Sequence, residues 1–314
     1  MAWTLLAAVA VASCRGEKAA PPAAATGDAA KLVIKPPNVA GAFYPGQRDA
    51  LAAAVEGYIG AAEQKVPAAI VVAVFTPHAG YQFSGGVAGV AYRQLQGREP
   101  ATVVLLGPSH YCSTPEIAAP TFDGFETPLG VAPVDTAFVA AVAERCEDVR
   151  FTNVPFAKEH SLETQLPFVQ TLFPEARVAP FIFCEHGAGA AERFARALSA
   201  VIKERRGDTL IITTCDLSHY YPYDKAVKLD RAYIAAFKKF DAAAIFAGER
   251  DGAFEIDAPG PVAATLWAGR ELGATDAVAL EFKNSGDVTG DSSRGVVGYF
   301  AGALVKHETL PRAK

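Results

Sequence analysis

The strongest constraint on this chain is an alternation of two patterns. Six continuous apolar runs occur, AAIVVAVF (68–75), ATVVLLG (101–107), RVAPFIFC (177–184), DTLIITTC (208–215), AVALEFK (277–283) and GVVGYFAGALV (295–305). Around them lie segments with apolar residues at helical spacing: RDALAAAVEGYIGAAEQ, DTAFVAAVAER, SLETQLPFVQTLF, AAERFARALSAVIKERR, AVKLDRAYIAAFKKF and GPVAATLWAGREL. A strand that is apolar throughout is buried on both faces, and an amphipathic helix between two such strands supplies the cover. The pattern predicts one α/β domain with a largely parallel or mixed sheet and helices on both faces. No linker or internal period interrupts it, so residues 36–308 read as a single domain and 309–314 as a tail.

With 314 residues, 51% of them apolar, the chain can bury a large core. The formal net charge of −5 and the lack of any Lys/Arg run argue against a nucleic-acid partner.

The chain begins MAWTLLAAVAVASC, an apolar run too short to span a bilayer easily and followed by small residues and Cys14. VASC resembles the lipobox of bacterial lipoproteins, although no Lys or Arg precedes the run. The expectation is a signal over 1–14, acylation of Cys14, and a disordered Ala/Pro-rich tether over 15–35. That places the protein outside the inner membrane, anchored and facing the periplasm; an uncleaved start leaves it cytoplasmic. Cys112, Cys146, Cys184 and Cys215 have no zinc-ribbon spacing. Cys184 and Cys215 end apolar runs and read as buried small hydrophobes, while export permits a disulfide whose pairing the spacing leaves open.

Three apolar runs lead into histidine. AVFTPHAGY carries His78, VLLGPSHY carries His110, and ITTCDLSHYYPY carries Asp216 and His219. In open α/β sheets, ligands bind beyond the carboxyl ends of strands. A single such histidine reads most simply as a turn residue, but three at strand ends point to one rim, and neutral imidazole is a common metal ligand. Asp216 and His219 lie three apart on an expected turn, where the carboxylate can orient an imidazole or form an Asx-turn. His160 and Glu163 in EHSLETQL are spaced to share a helix face, lining a pocket or pairing with each other. Asp287, Asp291 and Arg294 in NSGDVTGDSSR can brace the rim; no helix is expected to follow, which weakens a phosphate-binding reading. His186 and His307 read as surface residues.

AGAFYP (40–45), PHAGYQFSGGVAGVAY, LLGPSHY, ETPLGVAPVD, EHSLETQLPF, CDLSHYYPY and NSGDVTGDSSRGVVGY together resemble the motif series of the Memo family, whose bacterial members are named AmmeMemoRadiSam system protein B. The resemblance implies a domain similar to class III extradiol dioxygenases, the non-haem iron enzymes that cleave aromatic diols. It also implies that the PHAGY, GPSH and DLSHY histidines gather with a cysteine near a helix start. Family members commonly read DACGxGPIAA there, and ungapped alignment with EIDAPGPVAA puts Asp257 at the cysteine position. An acid at a helix start is ordinarily a cap. The related dioxygenases supply a carboxylate at this position, so the resemblance implies a triad of His78, His110 and Asp257 around a divalent metal.

Fe(II) is the expected ion. The oxygen donor also suits Mn(II) and Zn(II), and losing the thiolate weakens any preference for Cu(I). His219 is then the acid/base, with Asp216 as its orienting partner or as a group that supports the ligands from behind. Three functions follow: a metal-dependent, dioxygenase-like oxidoreductase; a non-catalytic metal-binding or redox protein; and a peptide-binding interaction module, as resemblance to the animal Memo protein implies. Radical-SAM and AMMECR-type partners are implied by resemblance alone and fit poorly with export.

Overall fold

All six apolar runs become strands of one mixed sheet. The computed structural model describes residues 31–112, 117–184 and 187–307; the expected signal with Cys14, the expected tether over 15–30, His186, residue 308 and the expected tail over 309–314 lie outside them. In chain order the strands are β1 (Ile34–Lys35), β2 (Val71–Thr76), β3 (Thr102–Pro108), β4 (Ile117–Ala119), β5 (Gly124–Thr127) and β6 (Gly130–Pro133). They continue with β7 (Val149–Phe151), β8 (Arg177–Phe183), β9 (Thr209–Thr214), β10 (Asp216–Tyr221), β11 (Asp276–Asn284) and β12 (Val296–Val305). The large sheet runs β10-β12-β2-β9-β3-β8-β4-β7, with β11 on the other edge of β12. Strands β1, β5 and β6 form a small separate sheet, so Ile34 and Lys35, expected in the tether, pair with Gly124 and Phe125.

The sheet is parallel at its centre and antiparallel where β12 meets β2, β10 and β11 and where β4 meets β8. Every residue of β2 and β3 is buried, as strands covered on both faces require. The helix Pro259–Glu271 packs across β2, β3 and β9, and the helix Tyr81–Arg93 packs against β2, β11 and β12. Alternation along β12 separates the two faces. Phe300 meets Phe237 with ring centroids 5.0 Å apart, while Val297 and Tyr299, of opposite parity, line a cavity with Phe83.

Several local expectations are corrected. Tyr81–Arg93 is a helix where a Gly-rich, weakly amphipathic stretch concealed one. SLETQLPFVQTLF splits into a 3-10 turn, Glu163–Gln165, and the helix Leu166–Leu172, leaving His160 ahead of both. CDLSHYYPY contains strand β10, since pairing with β12 outweighs local turn chemistry. Ser285–Thr289, in the motif where no helix was expected, is a short helix closed by a capping box between Asn284 and Asp287.

Candidate metal centre

His78, His110 and Asp216 each stand two residues beyond a central strand, after β2, β3 and β9 respectively. These strands are adjacent and parallel in the order β2-β9-β3, so their carboxyl ends bring the three residues to one rim. A fourth segment reaches the rim from outside the sheet. At Gly107 a Cβ would come within 2.7 Å of Leu162 and 2.8 Å of Thr214, so glycine lets the 159–162 segment lie against β3. That delivers Glu159 and His160.

The imidazoles converge. Ring centroids of His78 and His110 are 5.2 Å apart, those of His78 and His160 5.6 Å, and those of His110 and His160 4.6 Å in a stacked pair. Asp257 Oδ2 lies 2.8 Å from His78 Nε2 and 3.7 Å from His110 Nε2. Two groups of potential ligand atoms, each within 4.8 Å of one another, share His78: one adds His110 and His160, the other Asp216 and Asp257. The first turn of the helix Pro259–Glu271 receives no side-chain cap, so Asp257 is not performing that task.

Backbone and side chains fix this arrangement. Asp257 Oδ1 accepts from Asp216 N at 3.0 Å, Asp257 N donates to Asp216 O at 3.2 Å, and Asp216 Oδ1 accepts from His78 N at 2.9 Å. Asp216 therefore brackets His78 to Asp257, the second of its two expected roles; among the described residues it makes no hydrogen bond to His219, the partner in the first. The register of β10 against β12 shifts between Asp216 and His219, and that bulge lets residues three apart both face the cavity. His219 N donates to Glu255 Oε1 at 3.2 Å.

Glu163 does not reach this cavity. Its buried carboxylate accepts from Asn38 N, Val39 N and Tyr44 Oη at 2.7 to 2.9 Å and lies 3.6 Å from Lys35 Nζ, which anchors the AGAFYP segment and, through it, Phe43. Asp287 braces the opposite side by accepting from Tyr223 Oη at 2.7 Å. Asp291 and Arg294 are exposed, as is His307 beside Asp276.

Two orienting groups escaped sequence reasoning. His110 Nδ1 lies 2.9 Å from Glu159 Oε1, and His78 Nδ1 lies 2.8 Å from Thr214 Oγ1. With both Nδ1 atoms protonated, each Nε2 presents its lone pair toward Asp257. An acid directly preceding a histidine in EHSLETQ was the available signal for Glu159.

Electrostatics follow from the crowding. Burial opposes the charged form of His110, but the carboxylates of Asp257 and Glu159 outweigh it and push the imidazole up to about 10. Burial likewise opposes charge on His78, and Asp257 and Asp216 raise it regardless. Asp257 is held well below the usual carboxylate range, because the cationic histidines overcome its burial. Burial raises Asp216. His160 is lowered to about 4 by burial and by charge on His78, so it is neutral near pH 7.

His78 Nε2 and Asp257 Oδ2 are buried and, despite their 2.8 Å separation, lack hydrogen-bond geometry to each other or to any other partner among the described residues. Two such atoms facing one another fit ligands that share a cation. The cavity over them has a volume of about 580 Å³, with Phe43, Phe83, His219, Tyr220 and Tyr299 in its walls.

A family model for Memo-like proteins matches residues 35–303. The chain belongs to the Memo family. It is 35% identical over 274 residues to a MEMO1 family protein of Methanopyrus kandleri, covering 84% of this chain and 96% of that one. It is 34% identical over 286 residues to a MEMO1 family protein of Aeropyrum pernix, covering 85% and 98%. The crystal structure of an uncharacterized protein from Escherichia coli K12 is similar with a TM-score of 0.48 at 13% identity, covering 74% of this chain and 99% of that one. In this Memo family chain the three imidazoles and two carboxylates at the rim come from motifs spread between residues 78 and 257.

The remaining cysteines divide. Cys112 and Cys184 form a disulfide, so Cys184 is more than a buried hydrophobe, while Cys146 and Cys215 are buried free thiols. Among the described residues no helix is long and apolar enough to cross a membrane.

Proposed function

We propose that this Memo family chain is a non-haem metal-dependent oxidoreductase with dioxygenase-like chemistry, its metal held by His78, His110 and Asp257. The observation that carries this reading is the placement of the Asp257 carboxylate against both Nε2 atoms, with two buried atoms left without hydrogen bonds. Two imidazoles and one carboxylate are the donor set used for Fe(II) with open positions, and Mn(II) or Zn(II) also suits it. A metal bound there supplies Lewis acidity and, if it is iron, one-electron chemistry toward O₂.

The chain's own residues do the rest. Thr214 and Glu159 hold the two imidazoles in the ligating tautomer, and Asp216 fixes Asp257 relative to His78. The apolar walls exclude water from the ligand. His219, facing the same cavity, accepts or donates a proton at its imidazole.

Metal analysis of the wild type and Asp257→Ala tests the ligand set. Iron or zinc content should fall to background in the variant, and unchanged content would remove Asp257 from the site. A catechol series with Fe(II) under O₂ tests ring cleavage. Metal binding without turnover of any member would leave a metal-binding role without catalysis.

Export with acylation of Cys14 belongs to the same proposal. The Cys112 to Cys184 disulfide supports an oxidising compartment. Palmitate labelling that Cys14→Ser abolishes is the expected result, and equal labelling of both proteins would reject the anchor.

A further inference from the structure

Among the described residues two non-glycine positions have a left-handed backbone, Tyr220 at φ 59° and Phe240 at φ 53°. A Cβ crowds its own backbone in that region, so some other interaction must hold such a residue there. Phe240 gains burial: it is 7% exposed, and the Arg270 guanidinium sits 4.9 Å above its ring. Tyr220 gains little, being 75% exposed with, among the described residues, only the edge of His219 as an aromatic neighbour, 5.9 Å between centroids.

The backbone conformation at 220 has a clear cause. Register between β10 and β12 shifts on both sides of His219, and the Tyr220 main chain presses on Gly295, where a Cβ would come within 2.4 Å of the Tyr220 carbonyl oxygen. The bulge that aims His219 into the cavity therefore demands a left-handed residue. It does not demand a tyrosine, since glycine or asparagine adopts that conformation at lower cost. What the tyrosine adds is an aromatic ring at the mouth of a cavity already walled by Phe43, Phe83 and Tyr299.

We propose that Tyr220 is a specificity-determining residue that contacts the ligand, its ring lying against the flat face of an aromatic molecule whose polar end reaches the imidazoles. The polar contact rests on the metal-centre reading above; the ring contact does not. Strain is tolerated because the tyrosine acts on the ligand rather than on the fold.

The test uses 4-nitrocatechol, followed by its visible absorbance, with the full chain in metal-free and Zn(II)-loaded forms. Y220G and Y220N should weaken probe binding roughly three- to tenfold, the range of one aromatic contact. Their Zn(II) affinity should be unchanged and their thermal midpoints equal to or above the wild type, while Y220F should bind the probe like the wild type. Equal probe binding by Y220G and wild type overturns the proposal. So does absence of probe binding to the wild type, or a lower midpoint in both variants, which would assign the ring to stability. If the wild type binds no Zn(II), the metal reading fails separately, and the dependence on Tyr220 is still read in the metal-free protein.

Discussion

Glu159 grips His110 at two points, accepting from its main-chain N at 2.6 Å and lying 2.9 Å from its Nδ1. The same carboxylate accepts from His160 N and Ser161 N at 2.8 and 2.9 Å, so it ties the loop after β3 to the segment that delivers His160. Through His110, its charge bears on the candidate metal centre without Glu159 lying in the cavity wall.

Glu159→Gln should weaken metal binding about 10- to 100-fold, the usual effect of losing a group that orients a ligating histidine. Competition against a chromogenic chelator measures this directly. Wild-type affinity in the variant would show that Glu159 serves the fold alone.

At the proposed ligands a metal would have to compete with protons for the same nitrogens. Burial works against charging His110, but its carboxylate neighbours raise it to about 10, so without a metal this imidazole is protonated near pH 7, and His78, against its burial, is shifted in the same direction by Asp257 and Asp216. Affinity for Zn(II) should therefore rise with pH between 6 and 9, about tenfold per unit for each proton displaced. Calorimetry in buffers of different ionisation enthalpy counts those protons, and a pH-independent affinity would contradict the ligand assignment.

Asp230 is buried behind β10, where Oδ1 accepts from Ser218 N at 3.0 Å and Oδ2 has no partner among the described residues. Burial raises its carboxyl from 3.8 to about 6. The folded chain thus holds this proton more tightly than the unfolded chain. The group's favourable contribution is complete below pH 3.8 and is lost as pH rises through 6, a change of roughly 3 kcal/mol. Urea titrations of wild type and Asp230→Asn at pH 4, 5 and 7 should show their difference moving in the variant's favour as pH rises. A constant difference would mean that Asp230 ionises normally.

The disulfide closes a loop with a sequence separation of 72 residues, and its partner Cys184 directly follows Phe183, whose carbonyl accepts from Ser109 N at 2.9 Å. Residues 109–112, which carry His110, are therefore pinned at both ends to the end of β8. Cys112→Ser should destabilise the protein by about 4 kcal/mol on loop entropy and weaken metal binding through His110. Denaturation and metal titration with and without a phosphine reductant check both effects, with the variant expected to be insensitive to the reductant.

Much of this architecture could be read from residues in order. The six apolar runs became strands because most of their residues have no polar side chain to place in water, and most of the helices between them, though not Tyr81–Arg93, followed from spacing. His78, His110 and Asp216 were recognisable because each ends such a run. Glu163 was misplaced because spacing cannot say which way a residue faces when a 3-10 turn replaces an expected helix. β10 was read as a turn because its pairing with β12 joins residues some 80 positions apart.

Local order along the chain determined the element types, the two-residue offset of each rim residue from its strand, and the kinship that singled out Asp257, because hydrophobic period and motif spacing are properties of neighbouring residues. Only the packed structure decided that Asp257 meets two imidazoles instead of capping a helix, that Asp216 serves His78 and not His219, and that Glu159 holds His110. Those choices depend on the strand order β2-β9-β3 and on segments brought together over 40 to 180 residues of chain, and no interaction local in sequence encodes such distances.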